Sequence, residues 1–251
     1  IQDLLKNFSD DQKKQLSKSQ FLSSTDTSAA FKYSLEYNPS GSSNIKLRFP
    51  NLCLDTQVSL FLKYNAENYI SAIALIAEQI SLDEFEIVRS NSIKLPQGRG
   101  EILKLREGNI LIDFAHDHQS IQNILSELAN YHDEIILVFG CGGDRDKSKR
   151  SKMMKIAQDF ASKIFFTSDN NRYEPFSSIV KDAMAGNSYT SIEILEDRKE
   201  AINLALQCLN KENILVILGK GHETYMDVSG KKVPFNDKDC VLEILDNEIN
   251  K

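Results

Sequence analysis

From residue 98 onward, short and continuously apolar runs alternate with longer amphipathic stretches. The apolar runs predict strands over 109–114, 134–139, 163–167, 191–195 and 213–218. The stretches between them predict helices over 119–131, 149–160, 175–185 and 197–209, and a closing helix spans 237–250. Strand cores such as Ile135-Ile-Leu-Val-Phe139 carry no polar alternation, as burial on both faces requires. Strands separated by helices of this length form βαβ units, so this part is α/β: a Rossmann-like, doubly wound sheet that is mainly parallel. Ahead of Pro96-Gln97-Gly98 the rhythm is irregular. A charged amphipathic helix fits 1–19, strands fit 31–37, 44–49 and 58–62, and a helix fits 66–80 with Ile70, Ile73, Ala74 and Ala77 on one face. Turn signals fall at 38–43 and at Pro50-Asn51. The expected division is 1–97 as the end of an α/β domain and 98–251 as a complete second domain.

Composition narrows the class. In 251 residues, 30 basic against 36 acidic side chains leave a charge of −6, which argues against a nucleic-acid binder. No apolar run approaches the roughly 18 residues that a bilayer span needs, so no membrane insertion is expected. Cys53, Cys141, Cys208 and Cys240 are widely spaced, as suits free thiols in the cytoplasm. His116 and His118 flank Asp117, but two ligands on one strand end are too few for a metal, and none is expected there.

The unusual residues follow the strands. Asp113 and His116 follow the first strand of the regular part, and Gly140-Cys-Gly-Gly-Asp-Arg-Asp-Lys-Ser-Lys-Arg150 follows the second. Ser168-Asp-Asn-Asn-Arg172 follows the third, and Gly219-Lys-Gly-His-Glu223 the last. In a doubly wound sheet these positions share the carboxyl edge, where ligands bind. Arg145 and Arg172 offer planar forks for a carboxylate or phosphate, while Asp169 and Glu223 accept hydrogen bonds from an ammonium. Arginines mixed with acids suit a zwitterionic amino acid better than a polyphosphate. Neither the G-x-G-x-x-G fingerprint nor a Walker A loop occurs anywhere in the chain.

At these same residues the sequence resembles the Mur ligase family, which adds amino acids to the peptidoglycan stem peptide, and its diaminopimelate-adding branch above all. Phe139–Arg150 resembles the glycine-rich signature of that branch almost letter for letter, and Gly219–Glu223 resembles its late motif. Asp113-Phe-Ala-His116 is similar to an Asp-Tyr-Ala-His segment, Gly98-Arg99 to a Gly-Arg pair opening the C-terminal domain, and Tyr64-Asn-Ala-Glu-Asn68 to an Asn-x-x-Asn segment of the central domain. The resemblance runs from about Asn65 to the end of the chain. It implies that Arg145, Asp169, Asn170, Asn171, Arg172, Gly219 and Glu223 hold an incoming diamino acid. It also implies that Asn65 and Asn68 contact an adenine, Asp113 a ribose and Arg99 the phosphates, with His116 near the nucleotide. The implied reaction uses ATP and Mg²⁺ to join meso-diaminopimelate to a UDP-N-acetylmuramoyl dipeptide, in a monomeric cytoplasmic enzyme.

Two departures stand out. Asn171 replaces the Pro of the branch's Asp-Asn-Pro-Arg tetrapeptide, which frees a φ angle and adds an N–H. Asp117-His118 replaces a Thr-Pro pair. The phosphate-gripping loop, Mg²⁺-binding carboxylates and carbamylated lysine of the family are expected ahead of Ile1, so the chain alone is expected to be inactive as a ligase. Two other readings stay open at this stage: a non-catalytic binding module of the same fold, and a lysine-adding ligase.

Overall fold

The computed structural model describes residues 22–23, 31–38, 42–49, 52–58, 62–76 and 95–249. The chain divides into two compact units, Ile1–Lys94 and Leu95–Lys251.

In the first unit, β1 (Leu22–Ser23), β2 (Phe31–Asn38), β3 (Ser42–Phe49) and β4 (Leu52–Val58) form one sheet in that order. β1 runs parallel to β2, and the other pairs are antiparallel. Helix α1 (Lys63–Ile76) packs on β2 and β3, turning Ala66, Ile70 and Ile73 toward buried Ile45 and Leu47. β4 occupies Leu52–Val58, with Phe49 paired to Leu52; of the strand expected over 58–62, residues 59–61 lie outside the described residues. Leu62 takes φ 70° and is followed directly by the helix, so it cannot extend a strand. The helix expected over 1–19 and residues 77–80 lie outside the described residues.

The second unit follows the expected alternation. A six-stranded sheet contains β5 (Glu101–Lys104), β6 (Asn109–Asp113), β7 (Glu134–Cys141), β8 (Lys163–Ser168), β9 (Ile192–Leu195) and β10 (Asn213–Leu218), in the order β5-β6-β10-β7-β8-β9. Only β5 is antiparallel to its neighbour. The connecting helices are α2 (His118–Leu128), α3 (Arg150–Phe160), α4 (Phe176–Met184) and α5 (Arg198–Gln207), and α6 (Asp237–Ile249) closes the chain. A hairpin of β11 (Tyr225–Val228) and β12 (Lys231–Pro234) stands apart from the main sheet.

Strand order determines which face each helix covers. The chain steps one way from β6 through β7 and β8 to β9, then returns across the sheet to β10. Parallel crossovers are right-handed, so the reversal sends α5 to the face opposite α2, α3 and α4. The core bears this out: Ile110, Ile112, Val138, Phe165, Leu215 and Ile217 pack with α5 and α6. Strand residues of the other parity, such as Leu111, Leu137, Phe139 and Val216, are buried as completely. The reversal also opens a crevice at the carboxyl ends of the strands beside β10, where open α/β sheets hold ligands.

Candidate active site

A cleft of about 570 Å³ occupies that crevice. Arg145, Asp169, Asn170, Arg172, Gly219, Glu223 and His116 all line it, so seven of the residues expected from sequence converge there. They come from the loops after β6, β7, β8 and β10. Each loop leaves a fully buried strand, which fixes where the polar residues begin.

The loops after β7 and β8 hold each other. The Gly143 amide donates to the Asn170 carbonyl at 2.8 Å, and Arg172 Nη1 donates to the Gly143 carbonyl at 2.8 Å and the Asn170 carbonyl at 3.2 Å. This anchors one edge of the guanidinium and leaves Nη2 and Nε with no acceptor among the described residues. Arg172 sits at φ 52°, a left-handed conformation that costs a non-glycine residue about 1 kcal/mol or more and persists only where the surroundings enforce it. The hairpin enforces it here. The Arg172 amide donates to the Asp227 carbonyl at 2.9 Å, the Ser229 amide donates to the Arg172 carbonyl, and the Asp227 amide donates to Asn170 Oδ1 at 2.8 Å. Asn171 is buried, and its Nδ2 donates to Ser168 Oγ at 3.0 Å. That tether closes the loop through a side chain, with no proline to stiffen it.

Gly143 is the tightest point of this junction. A Cβ there would lie 1.9 Å from the Asn171 carbonyl oxygen, a backbone atom that cannot step aside. We expect Gly143→Ala to part the two loops and lower the melting temperature of the second unit, at a cost in the overpacking range of about 1–3 kcal/mol. A melting curve matching wild type would contradict this.

Behind the loops, Arg150 is 2% exposed and donates to both Glu174 oxygens (2.8 and 2.6 Å), to Asp182 and to the Gly142 carbonyl. Its guanidinium holds the Glu174 carboxyl well below the usual carboxylate range. Glu174 in turn accepts the Asp144 amide at 2.9 Å, so a buried ion pair fastens the glycine-rich loop from below. Cys141 also lines the cleft. Burial, reinforced by Asp169, pushes its thiol up to about 12, which keeps it protonated and poorly nucleophilic.

Asp169 and Glu223 form the acidic wall. Asp169 is 5% exposed, and its Oδ1 has no hydrogen-bond partner among the described residues. Glu223 Oε2 accepts from Asn170 Nδ2 and from Lys220 Nζ, both at 2.8 Å. Asp169 Oδ1 is turned toward the buried Lys220 ammonium, 3.9 Å away.

The remaining expected residues are placed as follows. Arg99 is exposed, with its guanidinium 4.5 Å from the Phe114 ring centre, and His116 and His222 pack on the same ring. Asp113 is 4% exposed and accepts the Gly100 amide at 2.6 Å and the Ala115 amide at 2.8 Å. Its carboxylate therefore shapes the backbone beneath the cleft. Gly98, at φ 63°, lies so close to the Gly219–Glu223 turn that a Cβ would meet the Gly221 backbone at 2.1 Å. Asn65 and Asn68 belong to α1 of the first unit, the former buried and the latter exposed.

Residues 98–221 match the family model for the Mur ligase, glutamate ligase domain. The chain belongs to the Mur ligase family. A UDP-N-acetylmuramoyl-L-alanyl-D-glutamate–2,6-diaminopimelate ligase of Rickettsia typhi is 34% identical over 206 residues, covering 80% of this chain and 41% of that protein. The ligase of the same name from Helicobacter hepaticus is 44% identical over 135 residues, covering 53% of this chain and 28% of that protein. A solved structure of such a ligase superposes with a TM-score of 0.65 at 29% identity, covering 92% of this chain and 48% of that one. This Mur ligase chain thus spans less than half the length of the relatives it matches. In it, Asp117 caps α2: its carboxylate accepts the Gln119 and Ser120 amides at 2.9 and 3.0 Å and starts the helix at His118.

Proposed function

We propose that this chain supplies the amino-acid-recruiting part of an ATP-dependent ligase that adds meso-diaminopimelate to UDP-N-acetylmuramoyl-L-alanyl-D-glutamate. The observation that carries the reading is the pairing of charges in one cleft: the carboxylates of Asp169 and Glu223 line the same space as the forks of Arg145 and Arg172. Such a site takes a molecule that carries both ammonium and carboxylate groups. The names of the relatives, at 34% and 44% identity, support diaminopimelate as that molecule.

The geometry also suggests which end is held. An ammonium gripped by Asp169 and Glu223 stays protonated and is no nucleophile. The gripped end is therefore the one remote from the reacting amine, and Arg172 takes the carboxylate beside it. Arg145, which lines the same cleft, orients the carboxylate of the reacting end. The role of this chain is to position one amine and exclude its twin from the reaction.

For the nucleotide, Arg99 and His116 fit: an exposed guanidinium and an imidazole share the Phe114 ring at the rim of the cleft. Asp113, with both oxygens on backbone amides, fits a supporting role better than a direct ribose contact. ATP with Mg²⁺, when bound, supplies the phosphoryl group that makes the acceptor carboxylate electrophilic. Asn65 and Asn68 are proposed as adenine contacts, and no residue of this chain is assigned to Mg²⁺.

The test is an amide NMR titration of the chain with meso-diaminopimelate. Shifts should concentrate at Gly142–Arg145, Asp169–Arg172 and Gly219–Glu223, while the chain alone, lacking a Walker A loop, releases no ADP from ATP. Absence of shifts at millimolar ligand would overturn the proposal.

A further inference from the structure

Lys220 lies between Gly219 and Gly221, and its side chain is wholly inaccessible to solvent. Its ammonium donates to Glu223 Oε2 at 2.8 Å and to the Tyr225 carbonyl at 2.7 Å, and it stands 3.9 Å from Asp169 Oδ1. A lysine is seldom buried unless paired, because desolvating the charge is expensive. This one cannot reach a ligand, so it acts on the two acids that can.

From this geometry we propose that Lys220 is a positioning residue, the internal counter-ion that keeps Glu223 ionised and the wall it forms with Asp169 aimed into the cleft. The proposal rests on the ammonium-binding reading of that wall. Two carboxylates within reach of one ammonium repel each other once that cation is removed, and the half-buried Glu223 would then more readily take up a proton and forfeit its grip on an ammonium. A buried cation touching one and close to the other removes that conflict without occupying the space the ligand needs. The contact to the Tyr225 carbonyl adds a second function, since it fixes the start of the hairpin whose Asp227 amide orients Asn170, the other donor to Glu223 Oε2. Lys220 therefore sets the acid both by charge and by geometry.

Other charges face Glu223 as well: Asp169 and Arg172 from the loop after β8, Arg145 from the loop after β7, His116 from the loop after β6, and His222 beside it. Arg145, Arg172 and the histidines sit at cleft walls open to water, where their fields are screened. Lys220, desolvated and in contact, dominates. Consistent with this, burial raises the Glu223 carboxyl but is outweighed by the bonds from Lys220 and Asn170, which leave it below its ordinary value.

The test follows the Glu223 side-chain carboxyl by ¹³C NMR through a pH titration of the full chain, with the resonance assigned by its loss in Glu223→Gln. In wild type the midpoint should lie below the ordinary glutamate range. In Lys220→Met, which keeps length and volume but removes the charge, it should rise by roughly one unit or more. A wild-type midpoint at or above the ordinary value, or a midpoint unmoved in Lys220→Met, overturns the proposal. The wild-type arm holds even if the variant fails to fold. No ligand enters the titration, so its outcome is separate from whether diaminopimelate is the substrate. A lysine acting only as structural filler would change the melting temperature of the variant and leave the Glu223 midpoint in place.

Discussion

Arg172→Gly should abolish discrimination between meso-diaminopimelate and lysine while leaving the fold of the second unit intact. The two amino acids differ by one carboxylate. Arg172 arrives with Nη1 already fixed on the Gly143 and Asn170 carbonyls, so its free edge meets a carboxylate with little further ordering. With lysine bound, that edge stays unpaired. Hydrogen bonds to charged groups are worth about 1.5–3 kcal/mol, so wild type should favour diaminopimelate by at least roughly tenfold. In Arg172→Gly the affinity for diaminopimelate should fall to near that for lysine, which itself moves by no more than about twofold. Glycine is the informative replacement because it relieves the left-handed strain at φ 52°, so lost specificity cannot be ascribed to a strained backbone. Arg172→Lys, which keeps the charge without the fork, should fall between the two. Calorimetric or NMR titrations showing equal affinities in wild type, or retained preference in Arg172→Gly, would refute the assignment.

The second unit was largely legible because its strands are continuously apolar. The strand expected over 213–218 is observed at Asn213–Leu218, and the others agree to within about two residues. Glycines and charges placed directly after such runs could only fall on the carboxyl edge, which is why the cleft residues could be named beforehand. The misses have a common origin. β5, β11 and β12 are four-residue strands at an edge or in an exposed hairpin, with no sustained apolar run to mark them. The hairpin nonetheless holds Arg172 and Asn170, through main-chain hydrogen bonds that no side-chain pattern reveals.

Buried charges were missed for a related reason. Nothing in the local sequence marks Lys220, Arg150 or Arg198 as buried, since charged side chains are seldom enclosed without a partner. Their partners, Glu223, Glu174 and Asp237, are close in space, but for Arg150 and Arg198 they are 24 and 39 positions away in the chain. Locally, Lys220 stands out only as a lysine flanked by two glycines directly after a buried strand. In the first unit β4 starts at Leu52, earlier than the expected strand, because Leu52-Cys-Leu-Asp-Thr-Gln-Val58 carries no sustained apolar run to mark it.

The largest loss of stability should come from Asp237→Ala, a residue outside the cleft. Arg198 opens α5, and its side chain, like that of Asp237 at the start of α6, is 0% exposed. The guanidinium donates to Asp237 through Nε at 2.8 Å and Nη2 at 2.9 Å. It also donates to the Ser168 carbonyl at 3.2 Å and the Leu218 carbonyl at 2.9 Å. One buried cation thus ties two helices to the last residues of β8 and β10, from which Asp169 and Gly219 enter the cleft. Removing the carboxylate it is hydrogen-bonded to leaves a poorly compensated charge in a dry interior, a defect that costs about 3–5 kcal/mol. The Lys199–Glu243 pair nearby is as short, at 2.7 Å, but its side chains are 48% and 57% exposed. Lys199→Ala should therefore leave the denaturation midpoint nearly unchanged, because water and salt already screen that pair. Replacing both buried partners, as in Arg198→Met with Asp237→Leu, should recover much of the loss by removing the uncompensated charge, though the Ser168 and Leu218 carbonyls then go without their donor. Chemical denaturation monitored in the second unit reads all three variants. An Asp237→Ala midpoint as close to wild type as that of Lys199→Ala would show that the buried pair is not what fastens the floor of the cleft.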